Sequence, residues 1–254
     1  MSDKKTNPHE NNDFVEGRNA VCELLKSEQA VDKLFIAEGT NGRMGEIIAL
    51  AKKNKVPVTF CDKRKLDNMS VTGNHQGVIA QSAAQNYVDL ETLFENAQNK
   101  GQAPLFVICD GLEDPHNLGA IIRSAEASGA DGIIIPKRRA VGLTGVVARA
   151  SAGAISHMPI HKATNLASTI DEIKKRGVWV FGAEANGTVD LYDADFAGAT
   201  AIVIGSEGNG ISRLIREKCD FIVSIPMRGK VNSLNASNAA AVLLYEAVRR
   251  RIHK

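Results

Sequence analysis

The chain has no C-x-x-C pair, and its four cysteines, Cys22, Cys61, Cys109 and Cys219, lie far apart, mostly inside or beside apolar runs. That spacing excludes a zinc knuckle or a dithiol redox motif and reads as buried thiols in a reducing cytosol. Also missing is any apolar run near the roughly 20 residues that span a bilayer. The first residues, MSDKKTNPHENN, carry no signal-peptide core. The expectation is a soluble, cytoplasmic protein. Nor is one sign of charge in excess: 31 Lys and Arg stand against 29 Asp and Glu, a formal +2. Net charge therefore neither demands nor excludes nucleic acid, and an argument for RNA has to rest on local clustering. What is present is 254 residues with 44% apolar content, enough for one large domain or two ordinary ones.

Residues 1–12 are polar, contain Pro8 and lack periodicity, which predicts a disordered tail. From Phe14 helical and strand patterns alternate. GRNAVCELLKS, GRMGEIIALAKKNK and KRKLDNMS read as helices, and VDKLFIAE, VPVTFCD and GVIAQSA as strands. Residues 13–85 are thus a small α/β unit complete in itself. Between Arg43 and Lys65 it carries Arg43, Lys52, Lys53, Lys55, Lys63, Arg64 and Lys65 against Glu46 and Asp62, a net of +5. Such a run is either a solvated face or a contact for an RNA backbone. His75 and Gln76, in the turn GNHQG, are either a binding tip or a turn with a satisfied imidazole. Residues 86–103 are polar, hold a turn or two of amphipathic helix and end near Gly101 and Pro104, which predicts a linker.

From Leu105 to the end the alternation resumes. PLFVICDGL, ADGIIIP, HMPIHKA, VWVFGAE, ATAIVIGSEG and FIVSIP read as strands. Between and after them fall helices HNLGAIIRSAEASG, LTGVVARASAG, NLASTIDEIKKRG and SRLIREKC, with a last one from Asn235 to about His253. Continuous apolar strands, not alternating ones, are the pattern of a parallel sheet with helices on both faces. Ligands in such sheets bind beyond the carboxyl ends of the strands.

Three polar, glycine-bearing loops fall at those ends. In the first, residues 110–129, Asp114 and Pro115 make a turn, Asn117 is placed to cap the helix, Gly119 allows close backbone approach, and Arg123 follows on the helix. Arg123 reads equally as a functional cation or a surface salt bridge. The second, GSEGNGIS (205–212), exposes backbone amides and sets Glu207 among donors. Its order is neither a Rossmann fingerprint nor a P-loop. The third runs from Ile225 to Glu246. Pro226 ends a strand, and Asn232, Ser233, Asn235, Ser237 and Asn238 crowd before a buried helix, as a generous cap or a polar ligand site. Together the three loops predict one shared pocket.

The ordered motifs DPHNLGAIIRSAEASGADGIIIP, IVIGSEGNGIS and IPMRGKVNSLNASNAAAVLLYE resemble those of the SpoU (TrmH) branch of the SPOUT RNA methyltransferases, over residues 104–254. FVEGRNAVCELL through NHQGVIAQSA is similar to the L30e-like substrate-binding domain of members such as the RlmB group. The resemblance implies an α/β fold with a parallel sheet and a deep trefoil knot behind an L30e-like domain. It implies a homodimer that uses S-adenosylmethionine to methylate a ribose 2′-hydroxyl, with a guanosine of 23S ribosomal RNA as the expected target. By position it assigns Gly205, Ile225 and Leu234, with Ala183 and Met227, to the cofactor. It matches Arg123 to the catalytic arginine and Asn117, Glu207, Ser233 and Asn235 to the other active-site residues; no metal is implied. Transfer RNA as substrate, and an RNA-binding protein without catalysis, are the alternatives.

Overall fold

The structure, a computed structural model, describes residues 13–27, 29–39, 44–70 and 72–252. The expected tail at 1–12, Arg43 of the basic run and His253 at the end of the last helix lie outside the described residues. The chain divides into two compact units, one of residues through Asn86 with Gly142–Val146, the other of Tyr87–Val141 with Val147–Lys254.

The first unit runs β1 (Phe14–Glu16), α1 (Arg18–Lys26), β2 (Val31–Ala37), α2 (Met44–Lys53), β3 (Val58–Cys61), α3 (Lys63–Met69) and β4 (Val78–Ser82). The sheet order is β1-β4-β2-β3, with β2 and β3 parallel and the other pairs antiparallel. Alternation along β2 decides the layers. Leu34 and Ile36 pack with Val21, Leu25, Met44 and Ile47 of α1 and α2. Phe35 and Ala37 pack on the opposite face with Cys61 and Leu66. His75 is buried; Nε2 meets Asp67 Oδ1 at 2.9 Å and Nδ1 accepts from Gly77 N at 3.0 Å. Both ring nitrogens are therefore used internally, and the satisfied-imidazole reading of the turn holds.

The second unit begins at Tyr87 and does not open on a linker. The stretch 86–103, expected as a linker, contains helix α4 (Leu90–Asn99), capped by Asp89, whose carboxylate accepts from Thr92 N. Leu90 and Leu93 are part of the main core of this unit. A Cβ at Gly132 would sit 2.4 Å from Leu93, so the helix is pressed against the sheet. Full burial of Leu93 alone is worth about 1.5–3 kcal/mol.

There follow β5 (Leu105–Asp110), α5 (Pro115–Ala127), β6 (Gly132–Pro136), α6 (Gly145–Ala150, of which Gly145 and Val146 belong to the first unit), β7 (Ile160–Ala163), α7 (Leu166–Lys175), β8 (Trp179–Ala183) and β9 (Val189–Asp190). The last elements are β10 (Thr200–Gly205), α8 (Arg213–Arg216), β11 (Phe221–Ser224) and α9 (Ala236–Ile252). The seven strands order as β7-β6-β5-β10-β8-β11-β9, and every pairing is parallel. Phe106 and Ile108 of β5 face a core shared with α4, α7 and α8. The alternate residues Leu105, Val107 and Cys109 are buried on the other face, which α5 and α9 cover together. Gly119 makes that layer possible: a Cβ there would lie 2.4 Å from the Ala150 side chain of α6.

Candidate active site

The carboxyl ends of the central strands are level. Gly205 is registered with Asp110, Ile204 with Ala183, and Ala183 with Val223. The loops leaving these ends enclose a cleft of about 700 Å³, the size of a site for one small organic ligand. Its floor is apolar, from Ala183, Ile204, Val223, Ile225, Leu234 and Ala239, and its rim is polar.

Each loop is held by a specific device. After β10, Ser206 and Gly210 exchange two backbone hydrogen bonds, 3.0 and 2.9 Å, folding the loop tightly back over the strand end. Gly208 and Gly210 take positive φ there, +99° and +64°, which L side chains rarely adopt. At Gly205 a Cβ would fall 2.1–2.4 Å from the backbone of Gly210 and Ile211, so no side chain fits. The Asp110 carboxylate, at the end of β5, accepts from Ser212 N at 2.7 Å and ties this loop to its neighbour strand.

In the first loop the helix cap is Asp114, not Asn117. The Asp114 carboxylate accepts from His116 N at 3.0 Å and Pro115 opens α5. Asn117 lies inside the helix and is buried, which frees its amide for a distant partner. That partner is Asn235: its Nδ2 donates to Asn117 Oδ1 at 2.9 Å and also, over a short separation, to Glu207 Oε1. The Asn235 Oδ1 accepts from Ser237 N, Ser237 Oγ and Asn238 N at 2.9, 2.6 and 3.3 Å, capping α9. One side chain thus joins all three loops and starts the last helix. The assignment of its amide is self-consistent, because both long-range partners are acceptors.

The five residues assigned to the cofactor, Ala183, Gly205, Ile225, Met227 and Leu234, all line the cleft, as do Glu207, Ser233 and Asn235. Asn117 reaches it through Asn235. Arg123 does not: it is exposed on α5, away from the lining, with no hydrogen-bond or ion-pair partner among the described residues. The salt-bridge alternative for Arg123 is therefore not realised there.

A fourth loop was missed. Glu184, Ala185 and Asn186, after β8, line the cleft as well. Arg216 Nε donates to Glu184 Oε2 at 2.8 Å, and that bond with the carboxylate's charge raises the Arg216 pKa above its ordinary value. A Cβ at Gly187 would meet Ser224 N at 2.5 Å, so the loop lies flush on β11. The tripeptide Ala185-Asn186-Gly187 at a strand end was the available signal, of the same kind as the other three loops.

The cleft suits S-adenosylmethionine. Apolar walls fit the adenosine and methionine carbons, loop backbone supplies hydrogen bonds, and the carboxylate of Glu207 complements a cationic sulfonium and amine. Among the described residues no group of three His, Cys, Asp or Glu is placed to hold a metal, and no helix is long and apolar enough to cross a membrane.

Residues 104–245 match the SpoU rRNA Methylase family, and residues 14–88 match the RNA 2′-O ribose methyltransferase substrate-binding family. YacO of Bacillus subtilis (strain 168), assigned to the TrmH family of tRNA/rRNA methyltransferases, is 53% identical over 240 residues, 94% of this chain and 96% of its own. A TrmH family tRNA/rRNA methyltransferase of Staphylococcus haemolyticus (strain JCSC1435) is 50% identical over 238 residues, 93% of this chain and 95% of its own. Among solved structures, the SpoU methyltransferase AviRb from Streptomyces viridochromogenes, in complex with AdoMet, superposes with a TM-score of 0.62. It shares 28% identity and covers 95% of this chain and 91% of its own. The chain belongs to the SpoU family of S-adenosylmethionine-dependent RNA methyltransferases.

Proposed function

We propose that the protein methylates the ribose 2′-hydroxyl of a guanosine in 23S ribosomal RNA, and that it does so as a homodimer. The observation that carries the reading is Asn235 joining Asn117 and Glu207 at the mouth of the cleft, which sets polar groups for a ribose beside apolar walls for a cofactor. The match of residues 14–88 to a substrate-binding family supports an RNA that needs a second domain to be recognised.

Backbone at Gly205, Ile225 and Leu234 holds the cofactor, with Ala183 and Met227 as walls. Bound there, S-adenosylmethionine supplies an electrophilic methyl group on a cationic sulfonium. The chain's own work is to align the ribose hydroxyl with that methyl and to manage its weakly acidic proton. Asn117, Glu207, Ser233 and Asn235 position the ribose and its loop. Arg123 is the family's candidate for the proton. A guanidinium stays cationic in proteins, so we assign Arg123 to orienting an RNA phosphate and stabilising the developing alkoxide.

Because Arg123 lies outside its own cleft, a second copy is needed to bring one to each site. The exposed Val242, Tyr245 and Ile252 on α9, which packs beside α5, give that copy an apolar surface. The trefoil knot of the family belongs to the same proposal, with α9 as the threaded segment.

Mapping 2′-O-methyl groups in total RNA with and without the gene tests the assignment. Loss of one guanosine modification from 23S RNA supports it, whereas loss from a transfer RNA moves the substrate to the alternative.

A further inference from the structure

Two ammonium groups of the first unit converge on one ring. Lys33 Nζ lies 5.4 Å and Lys65 Nζ 5.7 Å from the centroid of Phe35. They come from different elements, β2 and α3. Phe35 points to the α3 face with Leu66 and Cys61. Lys33, two residues earlier on the same strand, shares that face. Polar uncharged residues flank them, since Thr59 is registered with Phe35 and Gln81 with Lys33.

Neither ammonium has an acidic partner among the described residues. The described ion pairs of this unit engage Lys26 and His75 instead. Lys52, Lys53, Lys55, Lys63 and Arg64 likewise make no ion pair among the described residues. The ring's π-electrons attract each of the two cations, both within about 6 Å of its centroid, and so offset part of their mutual repulsion. An anion between them would offset the rest, and a backbone phosphate brings that charge together with acceptors for Thr59 and Gln81.

We infer that Lys33 and Lys65, set over Phe35 on the α3 face of the first sheet, form a seat for a phosphate of the RNA backbone. The inference rests on the reading that this chain acts on RNA. It adds a residue, Lys33, that stands outside the basic run, and it picks Lys65 out of that run by geometry.

The experiment measures binding of in-vitro-transcribed 23S RNA to the full-length protein across a salt series, with calorimetry of S-adenosylmethionine in parallel. Lys33→Gln/Lys65→Gln should lower RNA affinity about tenfold or more. It should flatten the slope of log affinity against log salt by about 0.7–1.8, the range for one or two lost phosphate contacts. S-adenosylmethionine binding and the thermal melt should be unchanged. Lys52→Gln/Lys53→Gln, which removes the same charge from the last turn of α2, should flatten the slope less. Lys33→Arg/Lys65→Arg should keep wild-type affinity, which separates lost charge from lost folding. Wild-type affinity and slope in Lys33→Gln/Lys65→Gln, or equal losses in the α2 control, would overturn the seat while leaving the enzymatic reading intact. Wild-type protein that binds no RNA would overturn both.

Discussion

Asn235 Nδ2 donates to Asn117 Oδ1 at 2.9 Å, joining the first turn of α5 to the residue before α9. The same side chain caps α9 through its oxygen, so its two ends do separate jobs. Asn235→Asp keeps a good cap but replaces the donor with a carboxylate facing Glu207. It should retain most of the stability while losing at least tenfold in turnover. Asn235→Ala should lose turnover and also about 1 kcal/mol of stability, typical of a lost cap. Urea denaturation and methyl-transfer rates measured on both variants separate the two roles.

Gly205→Ala should weaken cofactor binding without unfolding the chain. Its Cβ would fall inside the backbone of Gly210, and the loop must move off the strand end to relieve the clash. Calorimetry with S-adenosylmethionine should show at least a tenfold weaker complex, with the far-ultraviolet spectrum of the native protein.

Arg251 locks the last helix to the starts of two strands. Its guanidinium donates to the carbonyls of Phe196, Ala103, Pro104 and Gly198 at 3.1, 2.6, 2.8 and 2.7 Å. Hydrogen bonds from a charged group are worth about 1.5–3 kcal/mol each, and they are not additive. Arg251→Met should cost roughly 2–4 kcal/mol in urea denaturation, and Arg251→Lys should not restore it, because an ammonium lacks the fork. Removing α9 altogether should abolish folding and cofactor binding together.

Burial pushes the Cys109 thiol up to about 12 from an ordinary value near 9. The native state then holds its proton where the unfolded chain has lost it. Stability from this group is complete below about pH 9 and falls by about 1.4 kcal/mol per unit above that, until the native thiol ionises. Cys109→Ala should flatten that part of the stability curve between pH 9 and 11. In the wild type, a thiol reagent at pH 8 should label Cys109 only after denaturation.

Much of the second unit was legible in its strands, because LFVICD and AIVIG are apolar without alternation, as strands buried on both faces must be. The helix α4 was legible too, but the sequence reads as only a turn or two of it within a linker. Leu90, Leu93, Phe94 and Ala97 follow helical spacing, but the polar residues between them suggested a linker. The two-residue β9 leaves no periodic trace. In the site, the residue types at the loop ends were readable, while the bond between Asn117 and Asn235 was not. It spans 118 residues and depends on which loops the parallel register brings level. The cap at Asp114 shows the same limit, since both Asp114 and Asn117 have the chemistry and only geometry chooses between them.

The most direct test of the account is methyl transfer from trideuteromethyl-labelled S-adenosylmethionine to 23S RNA by purified protein, followed by nucleoside mass spectrometry. The account predicts one labelled 2′-O-methylguanosine, formed by the wild type and strongly reduced in Arg123→Ala. Label on a base, or RNA unlabelled by a protein that binds both cofactor and RNA, would contradict it.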